Sequence, residues 1–131
     1  DHKEIISSIN NELRPDQDLY LKISPDPDTR KIEEIIGLSK RYGVKGITAT
    51  NTLKTDYGGL SGELLYVHSL KTQKKLSEMI EKENLDLDII ACGGIDSKER
   101  IDKRKRYGAK EFQIYTAMVY DGPGLINKLI R

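Results

Sequence analysis

An apolar run, Ile47-Thr48-Ala49, ends abruptly in Thr50-Asn51-Thr52, and Gly58-Gly59-Leu60-Ser61-Gly62 follows five residues later. Two threonine hydroxyls flank an amide that both donates and accepts. Together they suit a planar ligand carrying carbonyl, N–H and carboxylate groups. The glycine-rich stretch permits backbone to wrap closely around an anion. A second pair, Gly93-Gly94, directly follows another apolar run and precedes a helix start, where backbone amides could hold a phosphate. A lone glycine pair more often marks a tight turn. Two such groups in equivalent places between strand and helix favour phosphate. Lys22 lies inside a third apolar run, where a lysine is costly to bury without a partner. It reads as a cation aimed at an electron-rich ring or an anion, against the plainer reading of an edge lysine reaching for water.

Other candidate chemistry is weaker. Cys92 has no histidine near it in sequence and reads as a small residue packed at a strand end. His2 and His68 have no partnering pattern, and no Cys/His/Asp spacing suits a metal ion. The run Lys103-Arg104-Lys105-Arg106, flanked by Glu99, Asp102 and Glu111, reads as a solvated helix face rather than a phosphate patch. The 22 basic and 21 acidic residues leave a net charge of +1, which gives no reason to expect a nucleic-acid partner. A single cysteine rules out an internal disulfide and fits a reducing compartment.

The elements that must position these residues follow from hydrophobic pattern. Four short apolar runs read as buried strands: Leu19–Ile23, Gly46–Thr50, Asp88–Cys92 and Glu111–Tyr115. Each precedes a helical pattern. After the first, Ile32, Ile35, Ile36 and Tyr42 keep helical spacing, with Asp28 or Thr29 as cap and Gly43 as stop. After the second, Leu70, Gln73, Leu76, Ile80 and Glu83 form a stripe with only three apolar members. After the third, Asp96 and Glu99 have capping-box spacing. The fourth leads through Gly122-Pro123-Gly124 into Leu125, Ile126, Leu129 and Ile130. Residues 1–15 read as a leading helix. Such a rhythm predicts a single α/β domain of parallel strands with right-handed crossovers. Lys22 to Asp26, Thr50 to Thr52, Gly93-Gly94 and Tyr115-Thr116 then share the C-terminal edge of one sheet, where ligands bind in such architectures. No apolar run approaches the roughly 20 residues of a membrane span.

Taken in order, Lys22-Ile23-Ser24-Pro25-Asp26, Thr50-Asn51-Thr52, Gly58 to Gly62, Ala91-Cys92-Gly93-Gly94-Ile95 and Gln113-Ile114-Tyr115-Thr116-Ala117, closing with Gly122-Pro123, resemble dihydroorotate dehydrogenase. The Gln-x-Tyr-Thr and Gly-Pro elements are similar to the class 2, quinone-linked branch. The resemblance runs from about Leu19 to the C-terminus. It implies the C-terminal half of a TIM (β/α)8 barrel, about four strand–helix units. It further implies an FMN enzyme that oxidises dihydroorotate to orotate in pyrimidine synthesis, passing electrons to a membrane quinone. By this resemblance Lys22 would face the flavin ring and stabilise negative charge there, and Thr50 would touch the flavin. Ser61, Gly62, Gly93, Gly94, Tyr115 and Thr116 would hold its ribityl phosphate region. Asn51 and Thr52 would hydrogen-bond orotate. The family's serine base and quinone-tunnel helices lie upstream of the residues present, so no catalytic base is expected in this chain. The chain is expected to begin mid-protein and to complete its barrel with other polypeptide. Membrane association is expected through that missing part.

Two departures set up an alternative. The connection from Asn51 to Gly58 is shorter than in the family, where it forms part of a lid near the substrate. The helix after Gly94 carries Asp102 and Lys105 where the family has apolar residues, leaving mainly Ile101 and Tyr107 to pack. An unpaired charge buried there would cost several kcal/mol. The helix must therefore shift its register, meet something polar, or belong to an inactive relic serving as a structural or assembly module.

Overall fold

The computed structural model describes residues 2–25 and 28–131. Asp26, grouped above with the first strand's polar tip, lies outside the described residues.

Helix α1 (His2–Glu12) leads into strand β1 (Tyr20–Ile23). Helix α2 (Thr29–Tyr42) follows, then β2 (Gly46–Ala49). A hairpin of β3 (Leu53–Thr55) and β4 (Gly58–Leu60) comes next. A 3-10 turn (Gly62–Leu65) then runs directly into α3 (Tyr66–Lys82). Strand β5 (Asp88–Cys92), α4 (Lys98–Arg106) and β6 (Ala109–Gln113) complete the main sheet, and α5 (Thr116–Asp121) and α6 (Gly124–Ile130) follow.

The main sheet is parallel in the order β1-β2-β5-β6, so each new strand adds on the same side of the last. Right-handed crossovers advancing in one direction put their helices on one face, which is the winding of a barrel rather than of a sheet that reverses at a switch point. The register aligns Ile23, Ala49, Ala91 and Phe112 across the four strands. The first three of these are buried in the core with Ile32 and Ile36 of α2, Leu76 and Ile80 of α3, Ile101 of α4, and Leu125 and Leu129 of α6. Side chains alternate along a strand. Lys22, Thr48, Ile90 and Glu111 therefore form the next row on the opposite face.

Helix ends follow their local chemistry. Asp28 caps α2, its carboxylate accepting from Lys31 N–H at 2.8 Å. Gly43, at φ 63°, closes α2 in the left-handed conformation that a Cβ would strain. The α4 cap differs from the expected Asp96: Ser97 accepts from Arg100 N–H, while Asp96 pairs with the Arg100 guanidinium. The last strand also lies two residues earlier than its apolar pattern suggested. Tyr115 has left it and stands at the start of α5.

The charged helix α4 resolves the packing question. Asp102 is half-buried and Lys105 exposed, and neither lies in the core; Ile101 and Arg104 turn inward instead. Arg104, read from sequence as part of a solvated basic face, is 0 % exposed. It meets an equally unusual α3, whose buried face carries Ser69, Thr72, Gln73 and Ser77 beside Leu76 and Ile80. Gln73 uses its amide fully, donating to the carbonyls of Arg104 and Tyr107, both at 2.8 Å, and accepting from Arg104 Nη1 at 2.8 Å. It thereby ties down the C-terminal end of α4, adding to the bond that Tyr107 N–H already gives the Arg104 carbonyl at 3.1 Å.

Candidate functional site

The C-terminal ends of the four parallel strands open into one cavity of about 660 Å³, within the range of small-molecule sites. Its walls come from every strand end and from the turn that starts α3. All ten residues proposed from sequence line it: Lys22 from β1; Thr50, Asn51 and Thr52 after β2; Ser61 and Gly62 before α3; Gly93 and Gly94 after β5; Tyr115 and Thr116 before α5.

Strand parity explains the arrangement. Thr50 and Cys92 continue the row of Lys22, Thr48 and Ile90, away from the helix-side core. Thr50 is almost wholly buried; its N–H donates to Cys92 O at 2.7 Å and its hydroxyl to Asn51 O at 2.8 Å. The peptide joining it to Ala49 is cis. Asn51 is tied back by its N–H to Ile23 O, and its side-chain oxygen accepts from Thr52 N–H at 2.9 Å. That leaves the Asn51 side-chain NH2 as the group available to a ligand. Lys22 is exposed at the rim rather than buried in its strand. It belongs to the open face of the outermost strand, so the desolvation cost inferred from sequence does not arise.

The glycines divide into two kinds. Gly58 and Gly59 belong to strand β4 and do not line the cavity, which corrects the reading of Gly58 to Gly62 as one phosphate loop. A Cβ at Gly59 would stand 2.6 Å from Thr52 Oγ1, so this glycine makes room for Thr52. The short connection from Asn51 to Gly58 folds as part of a tight hairpin, its turn pinned by the Thr55 hydroxyl donating to Gly58 O at 2.8 Å. Gly62, Gly93 and Gly94 have φ of 68°, 114° and 68° and present backbone to the cavity. A Cβ at Gly94 would stand 2.5 Å from Tyr66 Cβ and 2.8 Å from Gly62 O. Thr116 bridges two walls, its hydroxyl donating to Ser61 Oγ at 3.1 Å.

Sequence reasoning missed the layer behind this wall. Arg100 Nη1 donates to Gly94 O and Asp96 Oδ2, both at 2.8 Å, and its other nitrogen reaches Glu63 at 3.4 Å. Its guanidinium lies 4.3 Å from the centre of the Tyr66 ring, with Arg104 at 5.3 Å. Burial pushes the Tyr66 phenol above its ordinary range, against the pull of the two arginines. Burial also lowers the Arg104 guanidinium to about 10, so it stays charged at neutral pH. The one available signal was the half-polar stripe of α3, where Ser69 and Gln73 lie one turn apart. Among the described residues no group of His, Cys, Asp and Glu could hold a metal ion, and no helix is long and apolar enough to cross a membrane.

A monotonic parallel sheet with helices on one face and a glycine-lined cavity at its C-terminal edge defines part of a ligand-binding (β/α) barrel. The family model for dihydroorotate dehydrogenase matches residues 2–131, and the chain belongs to that family. It is 37% identical over 123 residues to a dihydroorotate dehydrogenase (quinone) of Cereibacter sphaeroides, covering 86% of this chain and 34% of the relative. A Nautilia profundicola relative of the same description is 34% identical over 139 residues, covering 98% of this chain and 38% of its own length. The ligand-free enzyme structure from Eimeria tenella superposes with a TM-score of 0.78 at 29% identity, over 98% of this chain and 43% of that one. The chain thus spans about a third of the length of the curated relatives it matches.

Proposed function

We propose that this chain forms the flavin- and orotate-binding part of a quinone-linked dihydroorotate dehydrogenase, with FMN as the flavin. The observation that carries this reading is the convergence of ten residues from four strand ends on one cavity, with bare backbone at Gly62, Gly93 and Gly94. The residues fit such a group. Gly94 lines the cavity at φ 68°, its backbone N–H donates to no described residue, and its carbonyl is held by Arg100, which leaves that N–H for a phosphate.

When bound, FMN supplies two-electron redox chemistry, coupling oxidation of dihydroorotate to reduction of a quinone. Gly62, Gly93 and Gly94 present their backbone to its phosphate region, with Ser61, Tyr115 and Thr116 beside them. Lys22 would supply a positive charge toward the ring, and Thr50 would lie against it. The Asn51 side-chain NH2 and the Thr52 hydroxyl orient orotate by its polar edge. The proton-abstracting serine, the quinone path and any membrane attachment reside in the polypeptide that completes the barrel.

The inactive-relic alternative rested on Asp102, Lys105 and the short connection. Asp102 and Lys105 stay out of the core, and the connection folds into a hairpin. The decisive experiment purifies the chain with its completing barrel half. A yellow protein whose flavin absorbance bleaches with dihydroorotate is expected. A colourless protein that ignores added FMN overturns the proposal.

A further inference from the structure

Arg104 is a fully buried cation with no carboxylate partner among the described residues. Its Nη2 donates to Gly93 O at 2.7 Å and also to the Ser69 hydroxyl, which itself donates to Gly93 O at 3.0 Å. Its Nε has no hydrogen-bond partner. Arg100 grips the next carbonyl, Gly94 O, at 2.8 Å. Two arginines one turn apart on α4 therefore hold two consecutive carbonyls of the same glycine loop.

In a trans peptide the C=O and the following N–H point in opposite directions. Both peptides here are trans, because the cis bond among the described residues is Ala49–Thr50. Drawing the Gly93 and Gly94 carbonyls toward the arginines turns the Gly94 and Ile95 N–H groups away from them. Neither N–H donates to another described residue, and both residues line the cavity. The charges are also sorted. Arg100 is matched by Asp96 and Glu63 at the rim. Asp121 is the one other described carboxylate lining the cavity, and Lys22 lines it as well. Arg104 remains unmatched directly behind the amides.

We propose that Arg104, assisted by Arg100, is a positioning residue that presents the Gly94 and Ile95 amides as a receptor for a phosphate dianion, with its own unpaired charge as the counter-field. This rests on the flavin reading above for the identity of the phosphate's bearer. The receptor itself is a property of the loop and two side chains. It makes the site discriminate a phosphorylated flavin from the unphosphorylated one.

The test uses inorganic phosphate, FMN and riboflavin on the assembled protein, with R104M, R104K and R100L. Phosphate should shift the Gly94 and Ile95 amide resonances saturably in the native protein. R104M should weaken that binding by about tenfold, the scale of losing one buried charge near an anion. R104K should recover part of it, restoring charge without the fork. FMN affinity should fall with phosphate affinity while riboflavin affinity stays level, which a general loss of structure would not produce. Equal losses for both flavins, or no phosphate shift at Gly94 and Ile95, overturn the proposal. Phosphate binding at these amides without FMN binding sustains it and overturns the flavin reading instead. If R104M does not fold, R100L, a change at the half-buried rim, decides: a several-fold loss of phosphate affinity supports, and an unchanged affinity refutes.

Discussion

Gly94 concentrates the constraints of the site at a single residue. It combines a positive φ with a space that Tyr66 and Gly62 already fill. G94A should cost about 1–3 kcal/mol for the strained backbone alone, and more for the displaced turn. Urea unfolding measures the first effect, and loss of flavin binding beyond the stability loss measures the second. Lys110 offers a different test. Its ammonium pairs with Asp88, which raises its folded-state pKa above the ordinary lysine value, chiefly through the hydrogen bond. A cation whose folded pKa is raised contributes stability below its unfolded pKa and loses it as pH rises through the folded value. The stability difference between the native chain and K110M should therefore be constant through neutral pH and vanish in the alkaline range above that of free lysine. A difference that persists there would refute the pairing.

At the scale of elements, the two helices that begin with a side-chain cap should not depend on it equally. Asp28 accepts from Lys31 N–H at 2.8 Å, whereas Ser97 accepts from Arg100 N–H at 3.4 Å. D28A should cost about 1 kcal/mol and S97A less, toward the lower end of the usual range. Thermal unfolding of the two variants checks the order. The α3–α4 contact shows why helix patterns mislead here. Two helices of low apolar content pack because Gln73 and Arg104 satisfy each other, so the contact exchanges hydrophobic area for a connected polar network. Q73L should be worse than its gain in apolarity suggests. It removes the side-chain donor to the Tyr107 carbonyl and the acceptor for Arg104 Nη1, each loss worth about 1–3 kcal/mol where the group is buried and left unsatisfied.

For the molecule as a whole, the outer strands β1 and β6 each pair on one side within the main sheet. Tyr115 and Tyr120 stand 82 % and 84 % exposed at the mouth of the cavity, with Val119 nearby. Open edges and unpartnered aromatics invite pairing with further chain. The isolated chain should bind a hydrophobic dye and self-associate, and the completing barrel half should suppress both. A monomer that unfolds cooperatively and ignores the dye would show that the sheet needs no partner.

Apolar run lengths and punctuating glycines were enough to place four parallel strands, their order of use and the edge that carries the site. Those signals are local: a strand's period and a helix stop depend on neighbours in sequence. The ten cavity residues were legible for the same reason, Lys22 near the end of its strand and the other nine in the turns and helix starts that follow strands. What the sequence could not determine was partnership across the fold. Gly59 reads like an anion-binding glycine until Thr52 is found against it, and the basic run of α4 reads as solvated until Arg104 is seen facing Gln73 and Ser69. Burial of a charge depends on which polar groups another element brings to it, and only tertiary structure decides that.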